Sequence, residues 1–406
     1  MRMWKSSASQ LAVPQNLFTK NPFEVAKIVY CISVTVGSFT WRRLNDSKQY
    51  VQTRAQVIVT VAYLMVYLCS LYFQRDLTTI YTHGLRCSSL LTLLSRLNIL
   101  IGSILTISVY LNSLTRVKLL LKSFIRIDFI DQTLQQYGLQ EKILDKYRKM
   151  RMLTSFTISS YCALIVISAV FAFRSFHFGL VLNIVLNRFI AVTVYHQFYV
   201  WIESIGNRFE VVNYFIATKG QKIHDEEQFI AELSTAFSLR CQLKKITNSV
   251  NSYYTLQLLL FISLSFAYSV GYGYLTLYFA IGPSAKIIIV KNFYLYLTHI
   301  CYFLAMLCMV IKSITRMCSA ANEFGRIILE LKIKPKRKRL RTVIISTSLK
   351  LVNDKIEIYA CKLIQMDFSL LSSMFVALAT YCIVMLQFEL NEIKVFSAIT
   401  FTNSTS

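Results

Sequence analysis

Apolar residues gather into seven long runs separated by polar, mostly basic segments: approximately Val57–Phe73, Cys87–Asn112, Leu153–Phe173, Phe178–Trp201, Tyr253–Ile281, Phe293–Ile311 and Phe368–Phe388. A hydrocarbon core of about 30 Å is crossed by roughly 17–25 predominantly apolar helical residues. Each run meets that length, and a helix satisfies its own backbone in lipid. The pattern therefore predicts an all-α membrane protein with seven transmembrane helices. A further run, Ile28–Thr40, has only 13 residues and lies between Lys27 and Trp41. It reads as an interfacial or packed cytoplasmic helix.

Between the runs, four segments mix charge with apolar residues at helical spacing: Gln135–Arg151, Asp225–Ile246, Cys318–Lys332 and Thr347–Gln365. They are expected to be cytoplasmic helices forming a common anchor base. Charge sets the orientation. Lys and Arg number 8 through Arg54, 9 in Ser113–Met152, 6 in Ile205–Val250 and 13 in Lys312–Lys362. Only Arg75, Arg86, Arg174, Lys286, Lys291 and Lys394 lie on the other side, with Arg96 and Arg188 inside spans. Short cytoplasmic loops retain positive charge, so the N-terminus is expected in the cytoplasm and, after seven spans, the C-terminus outside. Asn403-Ser404-Thr405 in the tail is a candidate glycosylation sequon, making Asn403 the acceptor.

Composition agrees with a bilayer as solvent: 55% of the 406 residues are hydrophobic and 16% charged, with a mean hydropathy of +0.49. The net charge of +24 is distributed between apolar runs rather than along one soluble face, which excludes nucleic acid as a partner. The run Lys332–Arg341 reads as a solvated or anionic-lipid-facing cluster. Ten cysteines without a CxxC pair suggest neither zinc site nor disulfide framework, so no metal or cofactor is expected. No phosphate loop, HExxH, GxSxG or intramembrane acidic pair is present, and the five histidines are isolated, so the chain is not expected to be an enzyme.

The last run carries the sharpest chemical pattern. Ser373, Ala377, Thr380, Val384 and Gln387 recur at helical spacing and make one stripe of mostly small or polar groups. Such a stripe either lines a hydrated pore or lets neighbouring helices approach closely. Within it, Thr380-Tyr381, five apolar residues and Gln387-Phe388 resemble the C-terminal TYhhhhhQF signature of insect gustatory receptors, members of the insect chemoreceptor superfamily. Asn21-Pro22-Phe23, the Arg208-Phe209 pair with Asn213 nearby, the inverted seven-span layout and the length fit that family too.

The resemblance implies a tastant-gated, nonselective cation channel subunit of the plasma membrane of a sensory neuron dendrite. It implies a homo- or hetero-tetramer with other gustatory receptors, passing monovalent and divalent cations. It assigns 1–56 as a cytoplasmic N-terminal region, 57–311 as a six-helix ligand-sensing bundle with cytoplasmic extensions and 312–366 as cytoplasmic anchor helices. Residues 367–389 become the pore-lining seventh helix and 390–406 an extracellular tail. On this reading Gln387 and Phe388 form the outer constriction, with Thr380 and Tyr381 one to two turns deeper. The implied small-molecule pocket lies in the outer half of each bundle, where Tyr268, Tyr272, Tyr294 and His299 are candidates beside belt-forming tyrosines. Arg96 and Arg188, cations inside spans with no acidic partner in the outer halves, either bond to carbonyls and asparagines or face that pocket.

Bitter compounds are the first expectation for the ligand and sugars the next. The rivals are a seven-helix G-protein-coupled chemosensory receptor and a secondary transporter. The inverted orientation, the absence of DRY-like and NPxxY motifs and of prolines within the spans oppose the first. Missing repeats and broken helices oppose the second.

Overall fold

The computed structural model describes residues 27–35, 37–38, 41–43, 50–84, 89–173, 178–221, 225–281, 288–331 and 338–404. The helices are α1 (Lys27–Thr35), α2 (Arg54–Gly84), α3 (Ser89–Thr115), α4 (Val117–Gln136), α5 (Gln140–Phe173), α6 (Phe178–Gln221), α7 (Glu226–Ile281), α8 (Ile288–Leu329), α9 (Lys338–Val352) and α10 (Phe368–Ser404). Two short antiparallel hairpins, β1 (Trp41–Arg43) with β2 (Tyr50–Gln52) and β3 (Tyr359–Ala360) with β4 (Ile364–Gln365), complete the described elements.

Among the described residues six helices, α2, α3, α5, α7, α8 and α10, are long and apolar enough to cross a membrane. The remaining sequence-predicted span, Phe178–Trp201, is helical throughout as the first half of α6. From Ile190 to Ile202 every side chain of α6 is buried, because α3, α5, α7 and α8 all pack around it. A helix buried on all sides sits at the centre of a bundle. Phe124 meets Trp201 there at 4.5 Å between ring centroids, and Tyr195 stacks on Phe261 at 3.8 Å.

Of the charged segments, Asp225–Ile246 and most of Cys318–Lys332 are continuations of apolar helices. At about 1.5 Å per residue, the 56 residues of α7 reach well beyond a hydrocarbon core. Their charged half, Glu226–Ile246, leaves on the same side as the C-terminal halves of α6 and α8. Two expectations need correction. The segment Gln135–Arg151 is interrupted at Gly138, whose φ of +71° ends α4 and turns the chain into α5. Thr347–Gln365 is helical only to Val352; beyond it Met366 N donates to Ile358 O across the β3–β4 hairpin. The hairpin turns through Cys361 and Lys362, both with positive φ (51° and 59°), and is fastened to α7 where Cys361 N donates to Thr255 Oγ1 at 2.6 Å.

α1 packs against α6, and the turn that follows it packs against α2. Gln197 of α6 donates to both Ser33 Oγ and Ser38 Oγ at 2.8 Å. Gly37, at φ +73°, lets the chain turn against α2, where Thr60 Oγ1 donates to its carbonyl at 2.7 Å. The basic run at 332–337 and Asn21-Pro22-Phe23 lie outside the described residues.

Charged side chains lock the base. Arg208, fully buried, forks onto Asp131 of α4 with Nε–Oδ1 2.8 Å and Nη2–Oδ2 2.6 Å. Burial opposes the Arg208 charge, but Asp131 and Tyr147 outweigh it and raise its pKa, so the guanidinium stays protonated. Arg316 of α8 reaches Glu210 Oε1 at 2.6 Å, Glu203 Oε2 at 2.9 Å and Asn207 Oδ1 at 2.8 Å on α6. Burial alone would raise the Glu210 carboxyl; hydrogen bonds from Arg316 and Lys146, with their charges, hold it below the usual glutamate range. Arg240 of α7 bonds Ala321 O and Asp354, tying α7, α8 and the segment before β3 together.

Candidate functional site

α10 begins at a sharp cap. Asp367 Oδ1 accepts from Ser369 N at 3.0 Å and Leu370 N at 3.2 Å, satisfying first-turn amides that no helical carbonyl reaches. From there one face of the helix, Leu371, Met374, Cys382 and Met385, is buried against the bundle. Contact with α7 is close: a Cβ on Gly273 would sit 2.9 Å from Cys382 Sγ, so this position takes glycine. The helix therefore has one covered face.

Ser373, Thr380, Val384, Gln387 and Phe388 all lie on the uncovered side, and Ala377 is half-buried. Tyr381 borders the stripe, 54% exposed, with its ring edge-on to Phe266 of α7 at 5.9 Å. Thr380 Oγ1 donates to Val376 O at 2.9 Å, which tempers the polarity of the stripe. A third sector holds Phe375, Val376 and Ile383, exposed and wholly apolar. Three faces are thus distinguished: apolar and buried, small or polar and exposed, apolar and exposed. The helix continues through Ser404 and includes the backbone of Asn403.

A second constellation forms between α5, α6, α7 and α8. Arg188 donates from Nη2 to the Tyr272 hydroxyl and lies over two rings, 4.9 Å from the Tyr268 centroid and 5.6 Å from that of Tyr272. Tyr268 and Tyr272 are nearly parallel, 5.7 Å apart. Tyr272 stacks on His299 of α8, and Tyr268 on Phe303, at 5.7 and 5.5 Å. Tyr161 of α5 joins by stacking on Tyr302 at 4.6 Å. Of the sequence-derived candidates, Arg188, Tyr268, Tyr272 and His299 are brought together. Tyr294 is helical in α8, but its side chain lies outside the described residues. Arg96 is exposed and belongs to no such cluster; two residues on, Asn98 is the position that faces α7, near Gly271.

Sequence reasoning missed Tyr161, Tyr302 and Phe303, which sit in apolar runs without a distinguishing neighbour. It missed also the polar knot beside Arg188. There the Tyr67 hydroxyl donates to Asn187 Oδ1 at 2.6 Å, Thr106 Oγ1 donates to the same oxygen at 2.9 Å, and Ser103 Oγ lies 3.1 Å from Tyr67. The adjacent polar pair Asn187-Arg188 within an apolar span is the signal that points to it.

Among the described residues no group of three or more His, Cys, Asp or Glu side chains is placed to hold a metal ion. A family model described as 7tm chemosensory receptor matches residues 26–392. No curated protein matches the chain by sequence. The fold is similar to that of the insect olfactory receptor OR5 from Machilis hrabei, with a TM-score of 0.63 at 13% identity over 91% of this chain and 100% of that one. The same receptor in complex with eugenol gives 0.57 at 13% identity and the same coverage.

Proposed function

We propose that this chain, which belongs to the 7tm chemosensory receptor family, is a gustatory-type subunit of a ligand-gated cation channel in the plasma membrane of a sensory neuron dendrite. Four copies, identical or mixed, surround a pore lined by α10, and a small-molecule tastant binds inside each bundle at Arg188, Tyr268, Tyr272 and His299. Seven spans with a cytoplasmic N-terminus and outer C-terminus put Gln387 and Phe388 at the outer mouth. A ring of Phe388 side chains closes the path by dewetting, and the Gln387 amides solvate passing ions.

The observation that carries this reading is the uncovered stripe of α10. A monomer leaves Ser373 and Gln387 on its surface at membrane depth, where lipid offers polar groups no partner. A water-filled axis between subunits does. The TYhhhhhQF signature favours the gustatory branch, and the relative's eugenol complex is consistent with an organic tastant.

The test is to introduce cysteines at Ser373, Thr380, Val384 and, as control, Phe375, then apply a membrane-impermeant cationic thiol reagent while recording current. Modification at the three stripe positions is expected to block current and modification at Phe375 to leave it unchanged. Equal effects at all four remove α10 from the pore.

A further inference from the structure

Among the described residues Arg188 pairs with no carboxylate. The sequence contains no Asp or Glu in residues 77–127, 146–202 or 233–322, the stretches that build the membrane half of the bundle around it. Its contacts are instead neutral: the Tyr272 hydroxyl and the faces of Tyr268 and Tyr272. A guanidinium has five N–H donors, and Arg188 Nε is buried with no hydrogen-bond partner among the described residues. Nearby, the Tyr161 hydroxyl and Asn98 Oδ1 are buried and likewise without partners there.

An arginine at this depth costs several kcal/mol unless something compensates it, and tyrosine faces supply only part of that. The missing component is an acceptor carrying negative charge. The planar fork of a guanidinium matches a carboxylate in particular, which it holds with two parallel bonds. Around the fork, Tyr268, Tyr272, His299 and Phe303 stack on one another and form an apolar wall.

Resting on the pocket assignment above, we propose that the tastant is a small organic acid, and that Arg188 binds its carboxylate while the aromatic stack holds its apolar part. Arg188 is then the residue that separates acids from their neutral analogues.

The experiment pairs benzoate and hexanoate with their methyl esters at neutral pH, where both acids are ionised. It reads channel current in cells and, separately, the thermal shift of the purified full-length protein. Wild type is expected to favour each acid over its ester about tenfold or more, the scale of a charge-assisted hydrogen bond. Arg188→Gln should abolish that preference at unchanged surface expression, and Arg188→Lys restore part of it. Esters acting as well as acids on wild type, or a preference that survives in Arg188→Gln, overturns the proposal. So does stabilisation by phosphatidylglycerol but by neither acid, which assigns Arg188 to a lipid headgroup. An acid-selective thermal shift without current upholds the acid site and sinks the channel reading instead. Currents evoked equally by ester and acid do the reverse.

Discussion

Individual residues divide into those that hold the bundle and those turned outward from it. Gln387 is of the second kind: its side chain is exposed, so replacing it leaves the core intact. Gln387→Ala is expected to change single-channel conductance or open probability while surface expression stays at the wild-type level, and unchanged currents would remove the amide from the pore. Gly37 is of the first kind. Its φ of +73° and the 3.1 Å approach of Tyr63 leave no place for a methyl group, so Gly37→Ala should destabilise by about 1–2 kcal/mol, read as a lower melting temperature in detergent. Glu210 supplies a pH dependence. Its carboxyl is held below the usual range by Arg316 and Lys146 against the opposing effect of burial. The ionised form therefore stabilises the fold above the ordinary glutamate pKa of about 4.3, and that stabilisation is lost as pH falls through the lower folded value. Wild type should melt above Glu210→Gln at neutral pH, and the gap should close on acidification below about pH 4.

Elements show what can and cannot be read from sequence. Span positions were legible because twenty apolar residues in a row have few other uses. The stripe of α10 was legible too, since helical spacing alone decides which residues share a face. The β3–β4 hairpin was not: Thr347–Gln365 alternates charge and apolar residues in a way that suits a helix, and no Asn-Gly or Gly-Gly marks its turn. Cys361 and Lys362 take positive φ there because Thr255 and the Met366–Ile358 bond fix the chain. That strain is removable. Replacing Cys361-Lys362 by Asn-Gly, the pair such a turn favours, should raise stability by up to about 1 kcal/mol while the Cys361 amide contact is retained. The aromatic cluster around Arg188 was half legible. Arg188 and the α7 tyrosines stand out by type and spacing, but partners such as Tyr161 and Tyr302 are joined only by tertiary packing across α5 and α8. Arg96 shows the converse: a cation in a span that, two residues from the inward-facing Asn98, is carried to the exposed side by the turn of the helix.

At the scale of the molecule, the buried Arg208–Asp131 pair joins α6 to α4 in the charged base. Removing one partner leaves a buried charge, so Arg208→Ala is expected to cost about 3–5 kcal/mol and to reduce surface delivery, whereas Arg208→Met with Asp131→Leu should recover much of it. The base matters because α6, α7 and α8 pass through it without a break, and on α7 Tyr272, which contacts Arg188, is followed by Gly273, which abuts Cys382 of α10, so displacement of α7 beside Arg188 reaches α10. On the proposed reading, this is a direct mechanical link from the ligand cluster to the pore helix within one bundle. The central claim is that ligand opens the protein's own pore. The most direct measurement is current from an excised membrane patch holding this chain, with tastants applied and no guanine nucleotide present. The account predicts a cation current that appears with ligand, persists without nucleotide and is altered by Gln387→Ala. Ligand responses that vanish on excision and return only with guanine nucleotide would contradict it.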